Sequence, residues 1–186
     1  GVPVVRSGET SVVLLAAETL DAARLSDLLA LAGEPVLAIT ARRAETLKAH
    51  VYDHDLARIV LPENATCAWV HSIANPADDL RAPLKGPFNC QRGGNVSAHR
   101  AALQLVKSAR LLPAAVVLPI PKAIEFAALH GLTCLDLAEA VPALKLRSPL
   151  HPVISAKLPM EVSEAGRLHV FRPEDGGEEH YAIEIG

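Results

Sequence analysis

The sequence predicts a layered fold in which helices pack against a β-sheet, with a smaller β element after it. Three observations carry the prediction. Short runs dominated by apolar residues, of strand length, recur at residues 12–17, 36–39, 58–61 and 115–118. Segments with apolar residues three and four positions apart lie between them, as helices that cover a sheet require. After Pro142 the pattern gives way to spaced prolines and then to two strand-like arms. Half of the 186 residues are apolar, enough to build one domain core and carry an appended hairpin.

Residues 12–17 (VVLLAA) suit a strand buried on both faces. Asp21 is placed to cap a helix over 22–32 that Gly33 ends, and Leu25, Leu28, Leu29 and Ala32 form its core-facing stripe. Residues 36–39 read as a second strand, 42–48 as a short helix and 58–61 as a third strand. Asn64 is placed to cap a helix carrying Trp69, Val70 and Ile73. A polar, proline-bearing connection over 76–87 contains a charged hinge at Asp78, Asp79, Leu80 and Arg81.

The central helix is predicted over 98–109 with Ser97 as its cap. Its core stripe is Ala101, Leu105 and Ser108 with Ala102 and Ala109 beside it, while Arg100, Gln104 and Lys107 share a wet edge. The strand at 115–118 ends at Pro119. Pro121 sits where a helix can begin, and that helix, 122–130, is stopped by Gly131. A short strand follows. Pro149, Pro152 and Pro159 then mark a linker into a two-stranded hairpin that turns at 173–177.

A net charge of −3 and 3% aromatic residues argue against a nucleic-acid partner, which needs basic surface and stacking platforms. No run is long and apolar enough for a bilayer, and the apolar opening at 1–5 lacks the basic flank of a signal peptide, so the expected location is cytoplasmic with no membrane partner. Cys67, Cys90 and Cys134 form no C-x-x-C pair and read as reduced thiols, Cys67 in a helix, Cys134 in a buried strand and Cys90 in a loop open to solvent. His50, Tyr52, Asp53, His54 and Asp55 make the densest titratable cluster; its metal-like look is equally explained by a polar surface loop. Lys85, Arg92, His99 and Arg100 flank a glycine-containing loop that runs into the central helix, where free amides attract phosphate. These four residues are the candidate anion site, although a Gly-Gly pair there also reads as an ordinary turn.

Residues 95–120 (NVSAHRAALQLVKSARLLPAAVVLPI) resemble a stretch of the 3,4-dihydroxy-2-butanone 4-phosphate synthases of riboflavin biosynthesis, which reads R-x-G-H-T-E-A-A-x-x-L-x-x-L-A-G-L-x-P-A-x-V-x-C-E-I. Ala101, Ala102, Leu103, Leu105, Ala109, Leu111, Pro113, Ala114, Val116 and Ile120 fit its frame. The chemical positions differ. Ala98 stands at the family's metal-binding histidine, His99 at threonine, Arg100 at glutamate, and Leu118-Pro119 at Cys-Glu, whose glutamate is an acid/base. The segment FAALHGL at 126–132 and Asp136-Leu137-Ala138 extend the resemblance. At the other end, the family's acidic loop D-x-E-D-R-E-N-E-G-D-L precedes a strand ending A-A-E, matched here by Ala16-Ala17-Glu18. Counting back, Ser7, Gly8, Thr10 and Val12 replace the loop's arginine and three acidic groups, and Glu9 alone stays acidic. The resemblance implies a three-layer α+β fold with a mixed sheet flanked by helices. It leaves Glu9 and His99 as the remaining catalytic candidates, with magnesium as cofactor only if the synthase-like site is active and no metal site otherwise.

A second resemblance begins where the first ends. ISAKLP at 154–159, GRLHVFR at 166–172 and EEHYAI at 178–183 look like the opening strands of GTP cyclohydrolase II. That family's catalytic stretch and its three zinc-holding cysteines are not in this sequence, so zinc is expected only in the rest of the polypeptide. The division implied is a synthase-like domain over 1–150, then a linker and first hairpin of a cyclohydrolase domain over 151–186, with the fused cyclohydrolase II and a second copy of the chain as partners. His169 and His180 lie on opposite arms of the hairpin, in structural roles. Three functions stay open: a silent synthase-like domain that supports or regulates the cyclohydrolase, a divergent active synthase acting on ribulose 5-phosphate, and a module sensing a sugar phosphate or nucleotide.

Overall fold

Strands that carry apolar residues on both faces need cover on both sides, and the computed structural model of the protein supplies it. It describes residues 2–8, 10–81, 83, 85–145, 150–173 and 178–186. The chain forms two compact units, Gly1–Leu144 and Lys145–Gly186. In the first, strands β1 (Pro3–Ser7), β2 (Thr10–Ala16), β3 (Val36–Thr40), β4 (Leu56–Val60), β5 (Ala114–Pro119) and β6 (Thr133–Asp136) form one sheet in the order β4-β3-β5-β2-β1-β6. Only β1 and β6 pair in parallel; the other four contacts are antiparallel, so the sheet is mixed.

Alternation along the strands divides the core into two layers. Val4, Val13, Leu15, Leu37, Ile39, Ile59, Val116 and Leu118 face one side, under helices α1 (Ala22–Leu29), α2 (Ala41–Leu47), α3 (Cys67–Ala74) and α5 (Ala123–His130). Val5, Val12, Leu14, Val36, Ala38, Leu56, Ala115 and Val117 face the other, under the central helix α4 (Ser97–Ser108) and Leu137, the first residue of α6 (Leu137–Lys145). This is the three-layer α+β arrangement expected. On the α4 side the contact is made of small residues, Ala98, Ala101 and Ala102 against Ala38 and Ala115, which lets the helix lie close on the sheet.

Several elements differ from expectation for physical reasons. β1 was not foreseen as a strand: the run is short and opens on proline, which a strand tolerates at its first residue. Its Val4 and Val5 are both fully buried between β2 and β6. Helix α1 is capped by Asp21 as predicted, whose carboxylate accepts from the Arg24 amide at 2.8 Å, but it ends at Leu29 and not at residue 32. Gly33 serves a different purpose: at φ 134° its α-carbon passes so near β5 that a Cβ would sit 2.9 Å from Leu118 Cδ1. Thr66, not Asn64, caps α3, its hydroxyl accepting from the Trp69 amide at 3.2 Å. Ser97 lies inside α4 with Val96 at the cap position, and the buried face is wider than the predicted stripe, taking in Ala98, His99, Leu103 and Val106 while Ser108 and Ala109 are exposed. Pro121 lies ahead of α5, whose cap is Lys122 in the left-handed region. Helix α6, which the sequence did not announce, contains Pro142; Asp136 precedes it, its Oδ1 accepting from the Ala138 amide at 2.9 Å while Oδ2 takes Arg6 Nη2 at 2.5 Å.

The predicted hinge at 78–81 is instead a clamp. Arg43 on α2 donates twice to the Asp79 carboxylate, at 2.5 and 2.7 Å, and to the Ile73 carbonyl at the end of α3 at 2.6 Å. Lys85 donates to Asp79 Oδ1 and to the Ser72 carbonyl, both at 2.5 Å. The three cysteines are half-buried and free, so neither the fully buried reading of Cys134 nor the open loop for Cys90 holds. Cys90 bridges to Ile59, where residues 89–91 cover the β4 edge.

The second unit is a sheet of three antiparallel strands, β7 (Leu150–Lys157), β8 (Arg167–Pro173) and β9 (His180–Glu184), and not a two-stranded hairpin. Proline spacing suggested a linker where β7 runs; Pro152 is accommodated by a register shift between Pro152 and Ile154. His169 Nε2 meets Glu184 Oε2 at 2.9 Å, and His180 pairs in register with Phe171. Residues 174–177 of the predicted turn lie outside the described residues.

Filling the close helix-to-sheet contact should cost stability. Ala102→Leu on α4 forces a larger side chain into a fully buried site and is expected to lower unfolding free energy by about 1–3 kcal/mol in urea titration, whereas Lys107→Leu on the exposed edge should leave the midpoint nearly unchanged.

Candidate functional site

The polar end of α4 is built around Arg58. Arg58 sits on β4 on the α4 side of the sheet and is only 3% exposed, and a buried guanidinium must have its donors filled. Its Nε and Nη2 donate to the two oxygens of Asp53 at 2.8 and 3.3 Å, Nη2 also to the Gly93 carbonyl at 2.6 Å, and Nη1 to Gln91 Oε1 at 2.9 Å. One side chain therefore fixes both the 50–55 loop and the glycine loop that leads into α4. Arg100 repeats the link from the helix, donating to both oxygens of Asp55 at 2.7 and 2.8 Å. That hydrogen bonding draws the Asp55 carboxyl below its ordinary range.

His99 lies beneath this network at 6% exposure, and its Nδ1 has no hydrogen-bond partner among the described residues. Burial first, and then the neighbouring Arg58 charge, push its pKa down to about 4 against the opposing pull of Asp53. The imidazole is thus neutral at pH 7. Arg92 is exposed, with its guanidinium carbon 5.6 Å from the Tyr52 ring centre, and Tyr52 stacks on His50 at 5.9 Å.

Of the four residues read as an anion site, the fold gathers Arg92, His99 and Arg100 near the first turn of α4. It places Lys85 in the Asp79 clamp, with a side chain 4% exposed. Asp53 and Asp55 answer the charges of Arg58 and Arg100. The two carboxylates of the 50–55 cluster are engaged in these pairs, and among the described residues no three His, Cys, Asp or Glu side chains are placed to share a metal ion. Sequence reasoning missed Arg58 and Arg43 altogether. Their signal was present: Arg58 interrupts L-A-R-I-V, an apolar strand, and an arginine at an inward position of such a run must bring counter-charges with it.

The positions aligned with the synthase motifs lie along the same helix and strands. Ala98, in the first turn of α4, is 1% exposed and packed in the core under the sheet; Leu118 is fully buried in the opposite layer; Pro119 is exposed at the end of β5. Register pairs Pro119 with Val12, which brings the end of β5 beside β2 close to the β1–β2 turn. Gly8 occupies that turn at φ 58°. Glu9 lies outside the described residues.

Comparison with known structures gives the architecture. A cation-free 3,4-dihydroxy-2-butanone 4-phosphate synthase superposes with a TM-score of 0.58 at 13% identity, over 80% of this chain and 92% of that one. The enzyme from Candida albicans gives 0.56 at 17%, over 77% and 91%. The chain has the 3,4-dihydroxy-2-butanone 4-phosphate synthase fold. The synthase-like unit is followed by its own small sheet, and the two-domain synthase RibBX from A. baumannii covers 100% of this chain with a TM-score of 0.57 at 14% identity, this chain covering 66% of it. In sequence, the GTP cyclohydrolase-2 of Azospirillum brasilense is 33% identical over 159 residues, 82% of this chain. The chain spans 41% of that relative's length. No family model matches the sequence.

One solved synthase is described in complex with two magnesium ions. The aligned positions here do not fit such a role. Ala98 and Gly8 carry no side-chain ligand atom, and the neutral, buried His99 lies in the field of the Arg58 guanidinium, which disfavours a cation beside it. Magnesium needs several oxygen ligands in near-octahedral array.

Two titration experiments test this electrostatic reading. Because the native His99 pKa lies below the unfolded value near 6.5, the unfolded chain binds the extra proton first. Stability should therefore fall as pH drops from about 6.5 to about 4, by an amount on the order of 3 kcal/mol; in His99→Gln the slope of unfolding free energy across that window should flatten. The Asp79 carboxyl, held well below the usual range by Arg43 and then Lys85, contributes stability above about pH 4 that is lost as pH falls through its native value. Asp79→Ala strands two buried cations and is expected to cost about 2–4 kcal/mol at pH 7 by thermal or urea unfolding.

Proposed function

We propose that the first unit is a non-catalytic synthase-like domain that supports or regulates a GTP cyclohydrolase II carried on the same polypeptide, in riboflavin biosynthesis. The observation that carries this reading is Ala98: at the first turn of the central helix, where the synthases hold a metal-binding histidine, this chain has a methyl group packed into the sheet core. Leu118 and Pro119 support it, since neither can move a proton where the synthases use Cys-Glu. The likeness to a GTP cyclohydrolase-2 supports the fused partner. A homodimer formed through the retained helix framework is part of the proposal. Any zinc belongs to the cyclohydrolase, and this unit needs no cofactor.

The architecture fits support better than turnover. Arg58, Arg100, Asp53 and Asp55 tie loops that would otherwise be free to admit substrate into paired, hydrogen-bonded positions. Loss of several cooperating groups leaves little rate for the remaining ones to rescue.

Incubation of the protein with ribulose 5-phosphate and magnesium is expected to release no formate above the protein-free rate; formate release abolished by Glu9→Ala would replace the proposal with an active synthase. In the complete polypeptide, deletion of residues 1–144 should lower cyclohydrolase turnover or shift the dimer to monomer in sedimentation. An unchanged rate and mass would remove the supporting role.

A further inference from the structure

A cavity of about 490 Å³ opens between the end of α2 and the 85–88 segment, away from the synthase-aligned positions. That is a small-molecule volume, within the range of about 300–1,000 Å³ common for such sites. Its walls differ in chemistry. Leu47, Pro87 and Phe88 supply apolar lining and Lys48, His50 and Lys85 basic lining, and Asp79 lines it too. Phe88 is held by Trp69, ring centres 6.5 Å apart.

The Arg43–Asp79–Lys85 clamp has a structural duty at the α3 carbonyls, and that duty leaves donors over. Two of the three N–H bonds of the buried Lys85 ammonium go to Asp79 and Ser72, and its third has no partner among the described residues. Asp79 cancels one of the two cations that grip it, so the clamp keeps a net positive charge. Lys48 adds a second, and its ammonium is engaged by no described residue. It projects from a left-handed position at φ 58° that ends α2. The negative end of this seven-residue helix is muted, because the Lys48 and Ala49 amides bond the Ala44 and Glu45 carbonyls.

We propose that this cavity binds a phosphate monoester bearing a flat apolar group, its dianion between Lys48, Lys85 and His50 and its apolar part against Phe88, Pro87 and Leu47. Two ammonium groups suit a dianion better than a singly charged carboxylate, and lysine holds phosphate as a point charge. The site is separate from the α4 end, so the proposal stands or falls independently of whether the unit supports a cyclohydrolase.

The test is calorimetric titration of the protein with phenyl phosphate, with inorganic phosphate, phenol and benzoate titrated separately. Phenyl phosphate should bind, and each of the other three at least about tenfold more weakly. Lys48→Asn removes the charge yet suits the left-handed backbone; it should keep the melting temperature of the free protein and weaken phenyl phosphate about tenfold. His50→Gln should weaken it less, and Arg92→Ala, beside α4, not at all. No phenyl phosphate binding at millimolar concentration, equal affinity in wild type and Lys48→Asn, or loss of binding in Arg92→Ala would each overturn the proposal.

Discussion

The close seat of one helix on one sheet governs this structure. Ala98, Ala101 and Ala102 of α4 share a core layer with Ala38 of β3 and Ala115 of β5, and short side chains there allow the helix to lie close to the strands. Leu103 and Val106, both at most 5% exposed, add apolar burial worth roughly 2 kcal/mol each. That gain offsets the burial of His99 with an unpartnered Nδ1, which costs about 1–3 kcal/mol. With α4 fixed, the entry to the helix is fixed too, and Arg58 and Arg100 only have to tie the neighbouring loops to a position the core already sets.

The same constraint explains how side chains at the synthase-aligned positions can differ without disturbing the fold. Ala98 points into the sheet; a methyl group there is a good core residue and a poor metal ligand. Leu118 belongs to the opposite layer and packs with Leu28-side residues of the core. Ala98 and Leu118 both sit in the core, so the fold places no demand on those two positions for a metal-binding or proton-transfer group. Two arginines, Arg43 and Arg58, have turned inward. Arg100 to Asp55 ties its loop at the surface, while Arg58 to Asp53 is a buried, neutralised pair that holds its loop in place. Such pairs are costly to break singly even where their net contribution is modest.

Charge that is not neutralised is therefore informative. Around α4 the acidic partners nearly match the arginines. At the end of α2 they do not, and there a cavity has both an apolar wall and two lysine ammonium groups, of which Lys85 is partly engaged by Asp79 and Ser72. Lys85 illustrates why sequence proximity misled: it is a few residues from the glycine loop in the chain, but the 85–88 segment runs to α3, and its ammonium ends on the far side from His99.

Local chemistry alone determined much of the architecture. The apolar runs of β2, β3 and β5, the Asp21 cap and the Gly131 stop of α5 are written in a few adjacent residues, because strand burial and helix ends depend on neighbours in the chain. The synthase-like frame was legible for the same reason. Only the tertiary structure decided that Val4 and Val5 form an inner strand, that Pro142 lies within a helix, that Pro152 lies within a strand, and that Asp79 is a clamp. Such outcomes depend on partners well separated in the chain, as in Pro152 to Phe171, Arg43 to Asp79 and Arg6 to Asp136. Charge pairing and burial across such separations are set by where the sheet brings segments together, and no local pattern carries that distance.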